Sequence, residues 1–189
     1  MTRELPIERS FFECDVVHVA RALIGLLLCF DDTGGLIVET EAYRHDDAAS
    51  HSYAGQTLRN SSMFGPPGHA YVYRSYGLHW CFNMVCQKGS GVLIRAIEPR
   101  VGIERMMQRR KSRNIRTLCA GPGRLTQALG ITSEHNGFDV LKAPFSLSGE
   151  TAKEVMVDKR IGITKAVEQP WRFGLVNSPF VSRKFLQSQ

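Results

Sequence analysis

Apolar and polar positions follow two periodicities along the first part of the chain. Across residues 11–25 the apolar side chains recur at helical spacing, which predicts a helix that stops at Gly25. Residues 26–30 and 36–43 have the composition of strands, and a polar turn at 31–35 separates them. We therefore expect these two strands to pair as a hairpin.

The middle and end of the chain predict further strands and two helices. Residues 70–75 and 78–87 are rich in aromatic and β-branched side chains with Gly77 between them, which indicates a second, protruding hairpin. The remaining predicted elements are a strand at 92–97, helices at 101–111 and 124–129, and strands at 154–164 and 171–176. Because strands that neighbour in sequence pair through hairpins, the pattern predicts an α+β fold with a mostly antiparallel β-sheet core and surrounding helices.

Length and composition favour one globular domain over residues 1–189. The chain has 189 residues, of which 43% are hydrophobic and 22% are charged. No apolar run reaches the ~18–20 residues of a membrane helix, and the N-terminus has no apolar signal-peptide core. We expect a cytoplasmic, nucleoid-associated protein that does not interact with membranes.

Cysteine and histidine positions give no sign of a metal site. The five cysteines include no C-x-x-C pair, and the six histidines are scattered along the chain. This usage is typical of reduced core thiols, and we expect neither a structural metal nor a metal cofactor.

The net charge of +6 suits a polyanionic partner. Residues 100–116 contain a single acid, Glu104, and a cluster of cations: Arg100, Arg105, Arg109, Arg110, Lys111, Arg113 and Arg116. Two interpretations stay open. The stretch is either a solvated helix face or a surface that contacts phosphates.

The strand at 36–43 carries the first candidate chemistry. Strict alternation places Ile37, Glu39, Glu41 and Tyr43 on one face and Val38, Thr40 and Ala42 on the other, core-like face. An aromatic ring beside a carboxylate can stack a nucleobase while the acid activates water. The alternative is an ordinary strand edge that faces solvent.

Other candidate residues are open to both a structural and a functional interpretation. Tyr76 precedes Gly77 at the hairpin turn, so it is either a protruding wedge or a partly packed turn residue. Arg95, in an apolar strand, needs a carboxylate such as Glu41 or Glu39 unless it reaches solvent. Asn83 either has a structural role, with its buried amide hydrogen-bonded inside the protein, or it recognises the edge of a base. The segment 121–124 opens a helix and could bind a phosphate.

Many segments in the same order resemble the alkyladenine (3-methyladenine) DNA glycosylase family. They span nearly the whole chain: 37–43, 49–52, 57–60, 63–64, 67–68, 71–73, 76–77, 81–83, 92–99, 119–122, 172–173 and 177–182. The resemblance implies a monofunctional, monomeric DNA repair enzyme without a cofactor. Such an enzyme flips alkylated or deaminated purines from double-stranded DNA and hydrolyses the N-glycosidic bond with water. The implied substrates are 3-methyladenine, 7-methylguanine, ethenoadenine and hypoxanthine.

The resemblance also implies roles for individual residues. Glu41 corresponds to the general base, and Arg95 helps to hold the water together with the backbone carbonyl of Ile161. Tyr43 and Tyr73 resemble the rings that sandwich the flipped base, with His51 at its edge, while Asn83 resembles the residue that crowds the amino group of guanine. Tyr76 resembles the intercalating wedge. We expect the rest of the DNA-binding surface to include Leu78, Arg59, Gly121, Gly123 and Arg124.

Two other functions remain as alternatives. The chain could be a damaged-DNA-binding module without catalysis. It could also be an O-glycoside hydrolase, because a spacing of ~7 Å between Glu39 and Glu41 suits an inverting acid pair.

Overall fold

A computed structural model describes residues 7–186, so the ends of the predicted domain, residues 1–6 and 187–189, lie outside the described part. One helix, five strands, three helices and three strands follow one another along the chain. They are α1 (Val16–Ala22), β1 (Leu27–Phe30), β2 (Thr33–Tyr43), β3 (Ala70–Ser75), β4 (His79–Val85), β5 (Gly91–Val101), α2 (Ile103–Arg110), α3 (Ile115–Leu118), α4 (Pro122–Leu129), β6 (Phe145–Ser148), β7 (Val155–Asp158) and β8 (Arg172–Leu175). Among the described residues, no helix has the length and hydrophobicity to cross a membrane.

Strand β2 lies at the centre of one antiparallel sheet. It pairs with β5 along nearly its whole length, and its other edge is shared between β1 at residues 33–36 and β8 at residues 39–41. The path through the sheet runs β3-β4-β5-β2-β1-β6, and β7 pairs with β8. The predicted α+β class with an antiparallel core is therefore confirmed.

Several predicted boundaries are wrong. The helix expected at 11–25 is a 3-10 turn, Arg9–Glu13, followed by the shorter α1, because the Asp15 carboxylate caps the N–H groups of Val17 and His18. The strand expected at 154–164 ends at Asp158. The helix expected at 124–129 begins earlier, with Pro122 at its first position, where the missing N–H costs no bond.

The sheet buries side chains on both of its faces. Along β3, β4 and β5 one set of alternating residues enters the main hydrophobic core: Ala70, Val72, Phe82, Met84, Val92 and Ile94. The intervening residues face the other way, and they include Tyr71, Tyr73, Cys81, Asn83, Leu93 and Arg95, all of which line one cleft. The period of two thus separates the core from the candidate site.

A pair of β-bulges interrupts that alternation on β2. The register with β5 shifts between Ile37 and Glu39 and again between Glu39 and Thr40. As a result Ile37 packs in the main core with Ala42, and it does not share a face with Glu41. The strict alternation expected for residues 37–43 is therefore wrong at its first residue.

Candidate active site

A cleft of about 690 Å³ opens on the face of the sheet opposite the main core. This volume lies within the range of clefts that bind small molecules. Its walls come from β3, β4 and β5 and from loops on both sides. The predicted residues that line it are Tyr43, His51, Arg59, Tyr73, Tyr76, Asn83, Arg95 and Ile161. Strands thus hold half of these residues, Tyr43, Tyr73, Asn83 and Arg95, in a fixed place.

Glu41 lies fully buried beneath the cleft-lining groups of Tyr43, Arg95 and Ile161. Its Oε2 accepts hydrogen bonds from the Tyr43 hydroxyl at 2.9 Å and from Arg95 Nη1 at 3.2 Å. Its Oε1 accepts one from the Ile161 backbone N–H at 2.7 Å. Burial raises the pKa of Glu41 above its ordinary value, although Arg95 and the two other donors oppose the rise.

Arg95 is the charged partner of two carboxylates. In addition to Glu41 it pairs with Glu39, whose Oε1 lies 3.4 Å from Arg95 Nε, and its Nη2 donates to the Ser182 hydroxyl at 3.4 Å. Only 8% of the residue is exposed, which rules out an edge arginine that reaches solvent. Its side chain instead connects the carboxylates to the cleft.

Glu39 is fully buried and bound on the side away from the cleft. Arg172 Nε donates to its Oε1 at 2.7 Å, and the Ser182 hydroxyl donates to the same oxygen at 2.9 Å. The Ser182 backbone N–H donates a hydrogen bond to Oε2. Neither Arg172 nor Ser182 lines the cleft, whereas all three donors to Glu41 do, so the structure does not support Glu39 as the second acid of a glycosidase pair.

Aromatic rings form the inner part of the cleft. The Tyr71 and Tyr73 rings stack with centroids 5.3 Å apart, and the His51 ring meets Tyr73 edge-on at 4.4 Å. His51 Nδ1 shares a hydrogen bond of 3.0 Å with the Tyr71 hydroxyl. Burial, and then the charge of Arg59, lower the pKa of His51, so its ring is neutral at pH 7. Burial raises the pKa of Tyr43 well above its usual value, which keeps the phenol protonated as a donor to Glu41.

Asn83 lines the same cleft from β4 and is almost completely buried. Its Nδ2 donates to the Tyr71 backbone carbonyl at 3.0 Å. That bond fixes the amide, so its position relative to a bound base cannot adjust freely. The structure supports both interpretations of this residue, since Asn83 satisfies a buried carbonyl and also borders the cleft.

The turn between β3 and β4 presents two apolar side chains to solvent. Tyr76 is 85% exposed and Leu78 is 79% exposed. Tyr76 and Gly77 both adopt positive φ, and the Leu78 N–H donates to the Ser75 carbonyl at 2.9 Å, so the chain reverses within a few residues. Since Tyr76 also borders the cleft, its ring stands at the rim and not in the core.

The start of α4 lies beside that hairpin but offers fewer free donors than expected. The Gly121 N–H donates to the Arg95 carbonyl at 3.0 Å, so it is not available to a phosphate. Gly123 is required because a Cβ there would lie 2.6 Å from the His79 ring. The Arg124 guanidinium is exposed and makes a contact of 3.5 Å with the Ala120 carbonyl. Pro122 is the residue of this segment that lines the cleft.

Much of the basic stretch at 100–116 binds the protein itself. Arg100 pairs with Glu98 and Arg105 with Asp32. Arg109, Arg110 and Arg116 donate to backbone carbonyls of Leu129, Leu118 and Pro179. Arg100, Arg105 and Arg116 stay exposed while they make these contacts, whereas Arg109 and Arg110 are half-buried. Other exposed cations line the cleft: Arg59, Arg74 and Lys165.

Sequence reasoning missed a buried ion pair behind the site. Arg160 binds both oxygens of Asp47 and also the Ala42 carbonyl, and its guanidinium lies 4.7 Å from the centre of the Tyr43 ring. Both side chains are almost completely buried. The pair therefore fixes Tyr43 from behind and anchors the backbone that brings Ile161 to Glu41. Its only sequence signal was an arginine within a stretch predicted as strand.

Across residues 7–186, the histidines, cysteines and acids form no cluster able to hold a metal ion. The five cysteines are free thiols, and Cys81 is the one that lines the cleft.

Comparison with known proteins agrees with this fold and cleft. The sequence model of the methylpurine-DNA glycosylase family matches residues 10–179. A Rhizobium meliloti protein named "Putative 3-methyladenine DNA glycosylase" is 59% identical, over 93% of this chain and 96% of its own length. Relatives of the same name from Nitrosospira multiformis and Agrobacterium fabrum are 56% identical over 93% of this chain and 93% of their own, and 53% identical over 97% and 95%, respectively.

These matches cover nearly the whole chain and define a class of enzyme, the DNA glycosylases, which hydrolyse N-glycosyl bonds in DNA repair. Within that class, the chain belongs to the methylpurine-DNA glycosylase family. The resemblance seen in the sequence segments is thereby confirmed.

Proposed function

We propose that the protein removes alkylated or deaminated purines from double-stranded DNA after flipping them into the cleft. Its substrates are 3-methyladenine, 7-methylguanine, ethenoadenine and hypoxanthine. It acts as a monomer on nucleoid DNA in the cytoplasm and needs no cofactor. The observation that carries the proposal is Glu41, a buried carboxylate held by three donors directly beneath an aromatic cleft.

The chemistry requires a base and a positioned water. Alkylation at N3 or N7 gives the purine a positive charge, so it departs readily once water attacks C1′ of the sugar. Glu41 takes a proton from that water, the oxygen bonds to C1′, and the electrons of the N-glycosidic bond neutralise the departing purine. Oε1 of Glu41 accepts only the Ile161 N–H among the described residues, so a lone pair on this oxygen remains for the water proton.

The aromatic part of the cleft suits a flat cation. Tyr43 and Tyr73 line it, and cations are attracted to the faces of aromatic rings. The lowered pKa of His51 keeps this neighbour neutral, so it does not repel a positively charged purine. A flipped undamaged purine lacks that charge and stacks less strongly in the same space.

A direct test is base release from a duplex that contains one 7-methylguanine, measured under single-turnover conditions. The parent enzyme should leave an abasic site that alkali cleaves, and Glu41→Gln should be slower by about 100- to 10,000-fold while it still binds the duplex. Because the amide is nearly isosteric with the carboxylate, Glu41→Gln should not disturb the fold. Binding without release by the parent enzyme would support the inactive binding module instead.

A further inference from the structure

Glu39 is a buried charge for which the proposed mechanism has no use. It is fully buried, it does not line the cleft, and its carboxylate is bound by Arg172 and Ser182. A buried carboxylate is costly unless its partners compensate for the missing hydration. The structure nevertheless places this one within 3.4 Å of the same arginine that binds Glu41.

Arg95 is oriented from several sides at once. Nη1 donates to Glu41 at 3.2 Å, Nη2 donates to the Ser182 hydroxyl at 3.4 Å, and Nε faces Glu39. Nε is buried and makes no hydrogen bond within the described residues. Among those residues, only the ion pair with Glu39 compensates Nε for its lost hydration. Ser182 in turn donates to Glu39, and the three side chains form a closed arrangement.

We propose that Glu39 is a positioning residue of the reaction, which holds the Arg95 guanidinium beside Glu41 and takes up part of its positive charge. Without Glu39, Arg95 would have Glu41 as its only carboxylate partner. Glu41 would then be stabilised as an anion and would be a weaker base toward water. The inference rests on the proposed function, because it assumes that Glu41 is the base.

The groups that face Glu41 predict the direction of the effect. They are Tyr43 and Glu39 on β2, Arg95 on β5, Tyr73 on β3, Cys81 on β4, Arg172 opposite on β8, and the Ile161 N–H. Burial raises the pKa of Glu41, Arg95 lowers it, and the negative charge of Glu39 raises it further. Removal of the Glu39 charge therefore lowers the pKa of Glu41.

The experiment is the pH dependence of single-turnover release of 7-methylguanine by Glu39→Gln. This base is already cationic, so protonation of the leaving group does not enter the profile. The acid limb of the profile is the range in which the rate rises with pH as Glu41 loses its proton. We expect this limb to move to lower pH by about one unit, while the maximal rate falls by about threefold to tenfold. A loss of folded enzyme that is the same at every pH leaves the pH at half-maximal rate unchanged, and acid unfolding would move it to higher pH, so neither imitates this shift.

Three further variants separate positioning from general structural damage. Glu39→Asp keeps the charge and should restore the parental acid limb. Ser182→Ala leaves the charges in place but frees Arg95 Nη2, so it should lower the rate without moving the limb. Asp158→Asn is the matched control, because Asp158 pairs with Arg172 at 3.5 Å and does not touch Arg95 or Glu41. It should leave the profile unchanged.

An unchanged acid limb in Glu39→Gln, with Glu41→Gln inactive, would overturn this inference and leave the proposed function intact. The same shift in Asp158→Asn would also overturn it. If Glu39→Gln does not fold, the double variant Glu39→Gln with Arg172→Gln removes one charge of each sign. Its acid limb should move in the same direction but less far, because removal of the Arg172 cation raises the pKa of Glu41. Absence of base release by the parent enzyme would instead reject the proposed function.

Discussion

The Tyr43 hydroxyl donates a hydrogen bond of 2.9 Å to Oε2 of Glu41, two residues earlier on the same strand. Side chains two apart on a strand share a face, so β2 alone brings the phenol and the carboxylate together. The same ring borders the cleft and lies against the Arg160 guanidinium on another side. Tyr43 therefore connects the proposed base-stacking surface to the proposed catalytic carboxylate.

This hydrogen bond predicts a pH effect for Tyr43→Phe. The phenol stabilises the charged form of Glu41, so its removal should raise the pKa of Glu41. Glu41 then stays protonated to higher pH, and the acid limb of single-turnover base release should move upward. A shift of about one unit corresponds to a decrease of about 1.4 kcal/mol in the stabilisation of the anion. The direction is opposite to that expected for Glu39→Gln.

Tyr73→Phe is the matched control for this prediction. Tyr73 also lines the cleft and keeps its ring in the variant, but it makes no hydrogen bond with Glu41 among the described residues. Its acid limb should stay at the parental pH. If the two variants shift equally, the profile responds to the loss of any hydroxyl from the cleft. The hydrogen bond from Tyr43 to Glu41 would then not be the cause.

Asn83→Ser should relax discrimination against normal guanine. Asn83 borders the cleft with its amide fixed by the Tyr71 carbonyl, and a shorter side chain leaves room for the 2-amino group. Steric differences of this size are worth about 10- to 200-fold in specificity. The measurement is guanine release from undamaged duplex DNA. Cys81→Ala enlarges the cleft at a neighbouring position on β4 and should not release guanine; release by this variant alone would contradict the role of Asn83.

The sequence was a good guide where local periodicity determines the structure. The hairpin of β3 and β4 followed from segments rich in aromatic and β-branched side chains and from Gly77 between them, and its turn places Tyr76 where the pattern predicted a tip. The pairing of Arg95 with Glu41 followed from the cost of a lone buried guanidinium. The first argument uses only neighbouring residues, and the second uses the physics of burial to infer a partner that is 54 residues away.

Interactions between residues distant in sequence could not be predicted in this way. Glu39 is bound by Arg172, 133 residues away, and only the pairing of β2 with β8 brings them together. The partners of Arg109 and Arg110 include backbone carbonyls, which leave no mark in the amino-acid pattern. The bulge beside Val38 moved Ile37 to the core face for a related reason, since register depends on the partner strand.

The distribution of cations predicts where salt dependence arises. Replacement of the cleft-lining Arg59, Arg74 and Lys165 by glutamine should flatten the slope of log affinity against log salt by about 0.9 for each DNA phosphate that is no longer neutralised. The control, Lys111→Gln with Arg113→Gln, removes exposed cations of the basic stretch that do not line the cleft. It should change the slope less. An equal change per charge would mean that residues 100–116 also bind DNA.

Arg109 requires a separate measurement because its role is structural. Its Nη1 donates to the carbonyls of Ala128 and Leu129 at the end of α4, at 3.1 Å and 2.6 Å. Arg109→Gln should cost about 1–3 kcal/mol of unfolding free energy, since buried carbonyls would be left without a charged donor. Denaturant unfolding measures this decrease, and Lys111→Gln should show none of it. Unchanged stability in Arg109→Gln would contradict a structural role for its bonds to the Ala128 and Leu129 carbonyls.

The exposed ring of Tyr76 predicts impaired base flipping without a decrease in stability. At 85% exposure the ring packs little, so Tyr76→Ala should change the unfolding free energy by less than about 0.5 kcal/mol. The reference is Phe82→Ala on the neighbouring strand, where a fully buried ring should cost about 3–5 kcal/mol.

A wedge offsets the few kcal/mol needed to unstack a base by filling the space the base leaves. Release from Tyr76→Ala should therefore fall most when the lesion lies opposite its normal partner and less opposite a mismatch, where flipping is already easier. A fluorescent base analogue beside the lesion reports the extrusion step directly. If Tyr76→Ala melts far below the parent enzyme and extrudes bases at the parental rate, then the ring is a packing residue and not a wedge.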